Sequence, residues 1–450
     1  MPTCYPLLAT IRSHPNQGGT QMHLDEYPRS SLLELQSDLL EQYEQFKAKE
    51  LKLNMARGKP SSEQLELSLP CLSILDEQSD LFASDGTDCR NYGVLAGIPE
   101  ARSFMGAMME EPAENVFVCG ASSLNAMYDT FARCYCFGQL GSTPWCKLDE
   151  IKWICPVPGY DRHFAILESF GVQMINVPMT EDGPDMDIVE QLVASDAAIK
   201  GIWCVPKYSN PTGTSYSDDT VRRLASMECA AEDFRIFWDN AYAVHHLYDE
   251  ADQQDQVLDI ALACKEAGNI NRYIKFASLS KITFPGASIS AFACSAENMA
   301  EAQKRCGAQT IGFDKLNQLR QVRFLKDMDG LADHMSKHAA IMRPKFELVI
   351  NKLEENLEGF GCSWTKPKGG YFVSFTGPTN TAKRVVSLAA EAGVTLTGAG
   401  APFPYKNDPD DAVIRIAPSL PPLEELEQAL EVFCCCVKIA AVERLLEKAE

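Results

Sequence analysis

The chain has 450 residues, of which 46% are hydrophobic and 23% charged, an ordinary balance for a soluble globular protein long enough for two or three domains. Asp and Glu number 62 against 41 Lys and Arg, so the formal net charge is −21. No dense basic stripe is present, which tells against a nucleic-acid surface or an anionic-membrane surface but leaves room for local small-anion sites.

In chain order, residues 1–24 contain no acid and one arginine. Their apolar part is too short for a signal-peptide h-region, and one arginine is thin support for a transit peptide, so the segment reads as a loose tail and the protein as cytoplasmic. A helix is expected over 29–50. From 115 to 295, short apolar runs alternate with helical segments: VFVCG (116–120), IKWICPVPG (151–159), VQMINVPM (172–179), IKGIWCVPK (199–207), FRIFWDN (234–240), YIKFAS (273–278) and SAFACS (290–295). Continuous apolar runs between helices indicate strands buried on both faces, hence an α/β domain with a mostly parallel, seven-stranded sheet. Residues 310–358 are helical in pattern, with Pro344 expected to break or kink them. Then come GCSWTKPKGGYFVSF, a helix over 380–392, GVTLTG, VIRIAPS and a long helix over 422–449, a smaller α+β unit. The resulting division is a tail over 1–24, an N-terminal segment over 25–65 packing with the smaller unit, a large domain over 66–330 and a small C-terminal domain over 331–450. No apolar stretch is long enough to suggest a transmembrane helix.

The seventeen cysteines are odd in number, lie among apolar neighbours and form no CxxC, which points to buried reduced thiols rather than a disulfide framework. Cys434-Cys435-Cys436 reads as core packing of the last helix. His334 and His338 have the i, i+4 spacing of some zinc sites, but the Glu of HExxH is missing and no third ligand is apparent, so no metal is expected.

Ligands of parallel sheets sit beyond the carboxyl ends of the strands, so the polar residues there carry the functional signal. WDNAY places Asp239 at such an end with Tyr242 three residues on, and KYSNPTG places Asn210 in an Asn-Pro turn. In GASSLNAMYD, Ser122 and Ser123 open a helix whose free N–H groups make an anion cradle. Tyr160 follows another strand, and FASLSKITFPGASIS puts Lys281 at the end of an apolar run, close after Ser278. Singly, each residue fits a turn, a cap or a snorkelling lysine. Together they outline a ligand with a phosphate, a basic ring nitrogen, an acidic ring hydroxyl, a flat face and a carbonyl that an amine can capture. Pyridoxal 5'-phosphate has all of these.

Ser278-Leu279-Ser280-Lys281, Asn210-Pro211-Thr212-Gly213, Asp239-Asn240-Ala241-Tyr242 and Arg415 in VIRIAPS occur in the order seen in class I/II pyridoxal-phosphate aminotransferases of fold type I, which the chain resembles over roughly residues 30–445. RGKPS, NYGVLAGIPEAR, PVPGYDRHF, EDGPDMD and WDNAYAVHHL look like signatures of a bacterial aspartate aminotransferase subgroup, labelled MocR-type or alanine–glyoxylate-type. The resemblance implies that Lys281 is the Schiff-base lysine, that Asp239 pairs with the ring nitrogen, and that Asn210 and Tyr242 bond the ring oxygen. Tyr160 would stack on the ring, and Ser122, Ser123 and Ser278 would hold the phosphate. Tyr92 resembles the tyrosine reaching the neighbouring subunit's phosphate, which implies a homodimer with shared sites. Arg415 resembles the arginine that grips the substrate α-carboxylate, and Gly58 the glycine beside it. Where the family pattern has a phosphate-binding arginine eight residues after the lysine, this chain has Ile289. Arg320 and Arg162 are candidates to replace it, or, with Lys59, to meet a substrate side chain.

The implied activity is amino-group transfer from L-aspartate to 2-oxoglutarate by a ping-pong mechanism, with amino acids and 2-oxo acids as the only expected ligands besides the cofactor. Alternatives are another donor (kynurenine, aromatic, or alanine with glyoxylate) or a carbon–sulfur lyase using the same lysine. An aminotransferase-like transcription regulator is a third, disfavoured because fewer than 60 residues, mostly tail and one acidic helix, precede RGKP.

Overall fold

The computed structural model describes residues 24–448, so the reading of the first residues as a loose tail falls almost wholly outside the described residues. The strands in chain order are β1 (Leu53–Asn54), β2 (Val116–Cys119), β3 (Lys152–Val157), β4 (Gln173–Thr180), β5 (Gly183–Pro184), β6 (Ile199–Cys204), β7 (Arg235–Asp239), β8 (Tyr273–Ser278), β9 (Ser290–Cys294), β10 (Ser363–Trp364), β11 (Val373–Thr376), β12 (Val394–Thr395) and β13 (Val413–Ile416). All seven expected apolar runs are strands of one sheet, ordered β2-β9-β8-β7-β6-β3-β4-β5. The eighth member, β5, is two residues long and closes a hairpin on β4. Gly183 allows that turn with φ at +125°, which other residues rarely adopt. β3, β4, β6, β7 and β8 run parallel, whereas β9 is antiparallel to both neighbours. β2, β6, β7 and β9 are buried along their whole length, as strands sandwiched between helices must be.

The parallel strands end together, so Val157, Cys204, Asp239 and Ser278 reach one edge of the sheet. Short polar caps start the helices that return from it. Asp185 caps Met186–Ser195, Ser217 caps Asp218–Ser226 and Asp259 caps Ile260–Glu266, each accepting from a main-chain N–H.

The C-terminal part holds a three-stranded antiparallel sheet, β10-β11-β13, and the parallel pair β1-β12. Its core is shared by the helices Arg29–Lys47, Met328–Leu357 and Leu423–Lys448. Leu32, Leu35, Leu39, Tyr43 and Phe46 form the buried stripe of the first of these, at the 3–4 residue spacing of a helix face. Cys434, Cys435 and Cys436 are all buried in this core, and the Cys435 thiol reaches the Leu39 carbonyl at 3.6 Å.

One expectation about Met328–Leu357, that Pro344 breaks the helical pattern, is corrected. Pro344 lies inside it, and the helix continues across it. The boundary placed at 330/331 falls in its first turn, and the helix serves two cores. Leu331 and Met335 pack with Ile98 and Ile289, while Met342, Phe346 and Val349 pack with the C-terminal helices. No described helix is long and apolar enough to cross a membrane.

Candidate active site

A cavity of about 230 Å³ opens at the carboxyl edge of the sheet. Its lining includes Gly58, Lys59, Ser122, Ser123, Tyr160, Asn210, Asp239, Tyr242, Ser278 and Lys281, ten of the residues singled out from the sequence. Ser280 belongs to it as well.

Asp239 ends β7 and is 2% exposed. One oxygen, Oδ2, lies 3.0 Å from His163 Nε2, and the other, Oδ1, is buried with no partner. A carboxylate only accepts, so His163 Nε2 carries the proton of that bond. His163 stacks on Trp203 with ring centroids 4.3 Å apart and planes 11° apart, which fixes the imidazole. The charge at the strand end is thus half satisfied, with its free oxygen available to a ligand donor.

Lys281 follows β8 by three residues, and its ammonium lies 4.9 Å from the centroid of the Tyr242 ring. Burial holds its pKa below the usual lysine range; Asp239 opposes that shift and Arg415 adds to it. Tyr242 is buried, and that burial keeps its phenol protonated far above neutral pH. Tyr160, beside His163 at 5.0 Å between rings, is pushed up by burial and then by Asp239.

Ser122 is the N-cap of Ser123–Phe137, but its side chain makes no capping bond. Its hydroxyl and the first helical N–H groups therefore stand free beside Ser123, at the positive end of the helix. Across the cavity, Ser278 Oγ and Ser280 Oγ are 2.6 Å apart. No arginine is among the lining residues. Ile289, at the family's arginine position, is 1% exposed in an apolar cluster.

Arg415 stands on β13, paired in register with Ser374 on β11. Its Nη1 donates to Asn210 Oδ1 at 3.2 Å and to Asp161 Oδ1 at 3.0 Å, and its buried Nε has no partner. The guanidinium lies 4.8 Å from the centroid of the Phe372 ring. Phe372 also explains Gly58, where a Cβ would come within 2.3 Å of the ring.

The remaining expected residues stand apart from the cavity lining. Tyr92 is 83% exposed, and Arg162 is exposed. Arg320 donates to the Ala287 carbonyl at 3.0 Å and to Asn317, bracing the loop that follows Lys281. Sequence reasoning passed over His163, although PGYDRHF put it in the first turn after a strand end. It gave no role to Ser280, although that residue directly precedes Lys281, and it passed over Tyr371 and Phe372, whose place depends on chain segments far apart in sequence.

Comparison with known proteins follows the same lines. The aspartate amino-transferase family matches residues 28–449. A putative aminotransferase of Mycolicibacterium smegmatis is 50% identical over 407 residues, 90% of this chain and 94% of that protein. An aspartate aminotransferase of Corynebacterium glutamicum is 48% identical over 408 residues, 90% of this chain and 93% of the relative. The crystal structure of an aspartate transaminase from Corynebacterium glutamicum superposes with a TM-score of 0.91 at 46% identity, covering 95% of this chain and all of that one.

Proposed function

Because the chain belongs to the aspartate amino-transferase family, we propose that this cavity binds pyridoxal phosphate and transfers the amino group of L-aspartate to 2-oxoglutarate. The observation that carries the reading is the meeting of Lys281 and Asp239, whose Oδ1 is free, in one cavity, with Arg415 bonded to the lining residue Asn210. The residues fit the cofactor. Asp239 Oδ1 suits a protonated ring nitrogen, and Tyr242 and the Asn210 amide suit the ring oxygen. The hydroxyls of Ser122, Ser123, Ser278 and Ser280 suit a phosphate. The close relative from Corynebacterium glutamicum bears the same activity in its name.

When bound, pyridoxal phosphate supplies a carbonyl for amine capture and a ring that accepts the electron pair left at Cα. The protein's residues do the rest. Arg415, whose Nε has no partner and whose Nη1 reaches Asn210, is the proposed holder of the α-carboxylate. Lys281 Nζ, whose hold on its proton is weakened by burial, takes up the Cα proton and carries it through the reaction. His163 keeps Asp239 oriented beside the ring site. Lys59 lines the cavity and is the proposed partner of the second substrate carboxylate, while the bond of Arg320 to the Ala287 carbonyl favours a bracing role for it. The site roles, the division into large and small domains, and the membership of a MocR-type subgroup belong to this proposal.

We also propose a cytoplasmic homodimer. Tyr92 (83% exposed), Ile311 (61%) and Phe82 (45%) are apolar side chains left uncovered, and every described cysteine is unpaired. Sedimentation velocity is expected to give a dimer, and a monomer at working concentration would remove that part. For the activity, a visible band from bound cofactor is expected to fade on adding L-aspartate and return with 2-oxoglutarate. A band indifferent to aspartate but responsive to another amino acid removes the donor, and no band removes the site.

A further inference from the structure

A second buried polar cluster lies directly behind Lys281 and is unused by this mechanism. Helix Ser62–Glu66 supplies Gln64, helix Met328–Leu357 supplies His334 and His338 one turn apart, and the segment entering β11 supplies Tyr371. Gln64 and Ser68 are 0% exposed, and the other three are also buried. Gln64 Nε2 is 3.0 Å from Tyr371 Oη and 3.0 Å from His338 Nδ1. His338 Nε2 lies 3.2 Å from His334 Nε2, which is itself 2.9 Å from the Ile282 carbonyl. Ser68 Oγ donates to that carbonyl at 3.3 Å, and Tyr371 Oη donates to the Lys281 carbonyl at 3.4 Å.

The direction of the bonds is fixed from one end. The Ser61 N–H donates to Gln64 Oε1 at 3.0 Å, as half of a capping box. The amide NH₂ therefore faces Tyr371 and His338. Tyr371 receives from Gln64, which leaves its own proton for Lys281. His338 accepts at Nδ1, so its proton sits on Nε2. Neither the Lys281 nor the Ile282 carbonyl accepts from a main-chain N–H among the described residues. Side chains alone satisfy the two carbonyls at the root of the lysine. The far side of the same loop is held too, by Gln321 Nε2 on the Ala287 carbonyl at 2.8 Å and Asn317 Nδ2 on the Ser288 carbonyl at 2.7 Å.

We propose that Tyr371 and Gln64 are positioning residues for Lys281: the Tyr371 hydroxyl, aimed by Gln64, holds the Lys281 carbonyl and, with Ser68 on the Ile282 carbonyl, fixes the main chain from which the amine projects over Tyr242. The inference rests on the reading of Lys281 given above. Tyr371 is followed by Phe372, whose ring lies under Arg415, so one dipeptide sets both the lysine and the arm proposed for the carboxylate. Asp239, Arg415, the Tyr242 ring and His245 face the lysine from the other elements of the site.

Tyr371→Phe deletes one hydroxyl. Gln64→Glu keeps the acceptor for Ser61 but turns the other arm from donor to acceptor, drawing the Tyr371 proton away from Lys281. The first readout uses the protein without cofactor: the pH dependence of Lys281 modification by trinitrobenzenesulfonate, followed by peptide mass spectrometry. In both variants the midpoint is expected to rise by about half a pH unit or more toward the free-lysine value near 10.4, as the released amine gains solvent. In the holoenzyme, kcat is expected to fall roughly tenfold with KM held within about twofold. An unchanged midpoint, or full kcat, in a Tyr371→Phe protein that melts at the parental temperature overturns the proposal. Lys281→Ala separates the two levels. Turnover by that variant removes the reading of the whole site, whereas a dead Lys281→Ala beside a fully active Tyr371→Phe removes only the positioning role.

Discussion

His163 converts a strand-end carboxylate into a directional acceptor. Asp239 is 2% exposed, a position where a polar group without a partner is costly. The 3.0 Å bond from His163 satisfies one oxygen and leaves the other for a ligand. His163→Phe tests this division, because the new ring keeps the stack on Trp203 while the N–H is lost. Leaving a buried acceptor unpaired costs about 1–3 kcal/mol. Part of that cost is expected as a lower melting temperature of the protein without cofactor. The rest is expected as a roughly tenfold weaker pyridoxal phosphate affinity, read by absorbance titration, because the carboxylate loses the bond that orients its free oxygen. An unchanged affinity would mean that His163 packs the core and does nothing for Asp239.

At the scale of elements, the strand ends were legible and the connections between distant segments were not. Seven apolar runs announced seven strands, and the polar residue after each strand is a local feature that a sequence displays directly. What brings Phe372 beneath Arg415 and against Gly58 is the register of β11 with β13 and the approach of a loop more than 300 residues earlier. No local pattern encodes that, so Phe372 and Tyr371 went unmarked although both sit in the quoted GGYFVSF. At Pro344 the local rule gives a helix break or a kink; the helix does not break, and packing of Met342, Phe346 and Val349 on both sides of it offsets the lost hydrogen bond. Gly58→Ala probes the long-range contact. Its Cβ would lie 2.3 Å from the Phe372 ring, and that ring cannot retreat without disturbing Arg415 at 4.8 Å. The variant is expected to lose about 1–3 kcal/mol in urea unfolding. Its KM for the amino acid is expected to rise roughly tenfold or more, with a smaller change in kcat, because uniform binding of the carboxylate is what suffers. Wild-type KM would show that the ring and the arginine move independently.

Over the whole molecule, four of the seven histidines share one electrostatic fate. Burial pushes His245 and His334 down, and His246 and His338 down to about 4. A neutral imidazole in the folded state binds its proton only after the unfolded chain has done so near pH 6.5. The stability these groups contribute is therefore complete above 6.5 and is lost as pH falls toward their folded values. For the nearly fully buried His245 and His338, each is worth about 1.4 kcal/mol per pH unit in that range. The net charge of −21 acts the other way, since acid relieves self-repulsion. The two effects separate by window, because carboxylates in the unfolded chain titrate near 4 and the histidines near 6.5. Between pH 6.5 and 5 the histidines dominate, and the urea midpoint is expected to drop steadily with acid. Raising the salt to 1 M, where the screening length is about 3 Å, is expected to leave that drop in place. His338→Gln should lower stability at pH 7 but flatten the slope below 6.5, because Gln has no proton to gain. Parallel slopes for parent and variant would remove His338 as a source of the acid sensitivity and leave it to His245, His246 and His334.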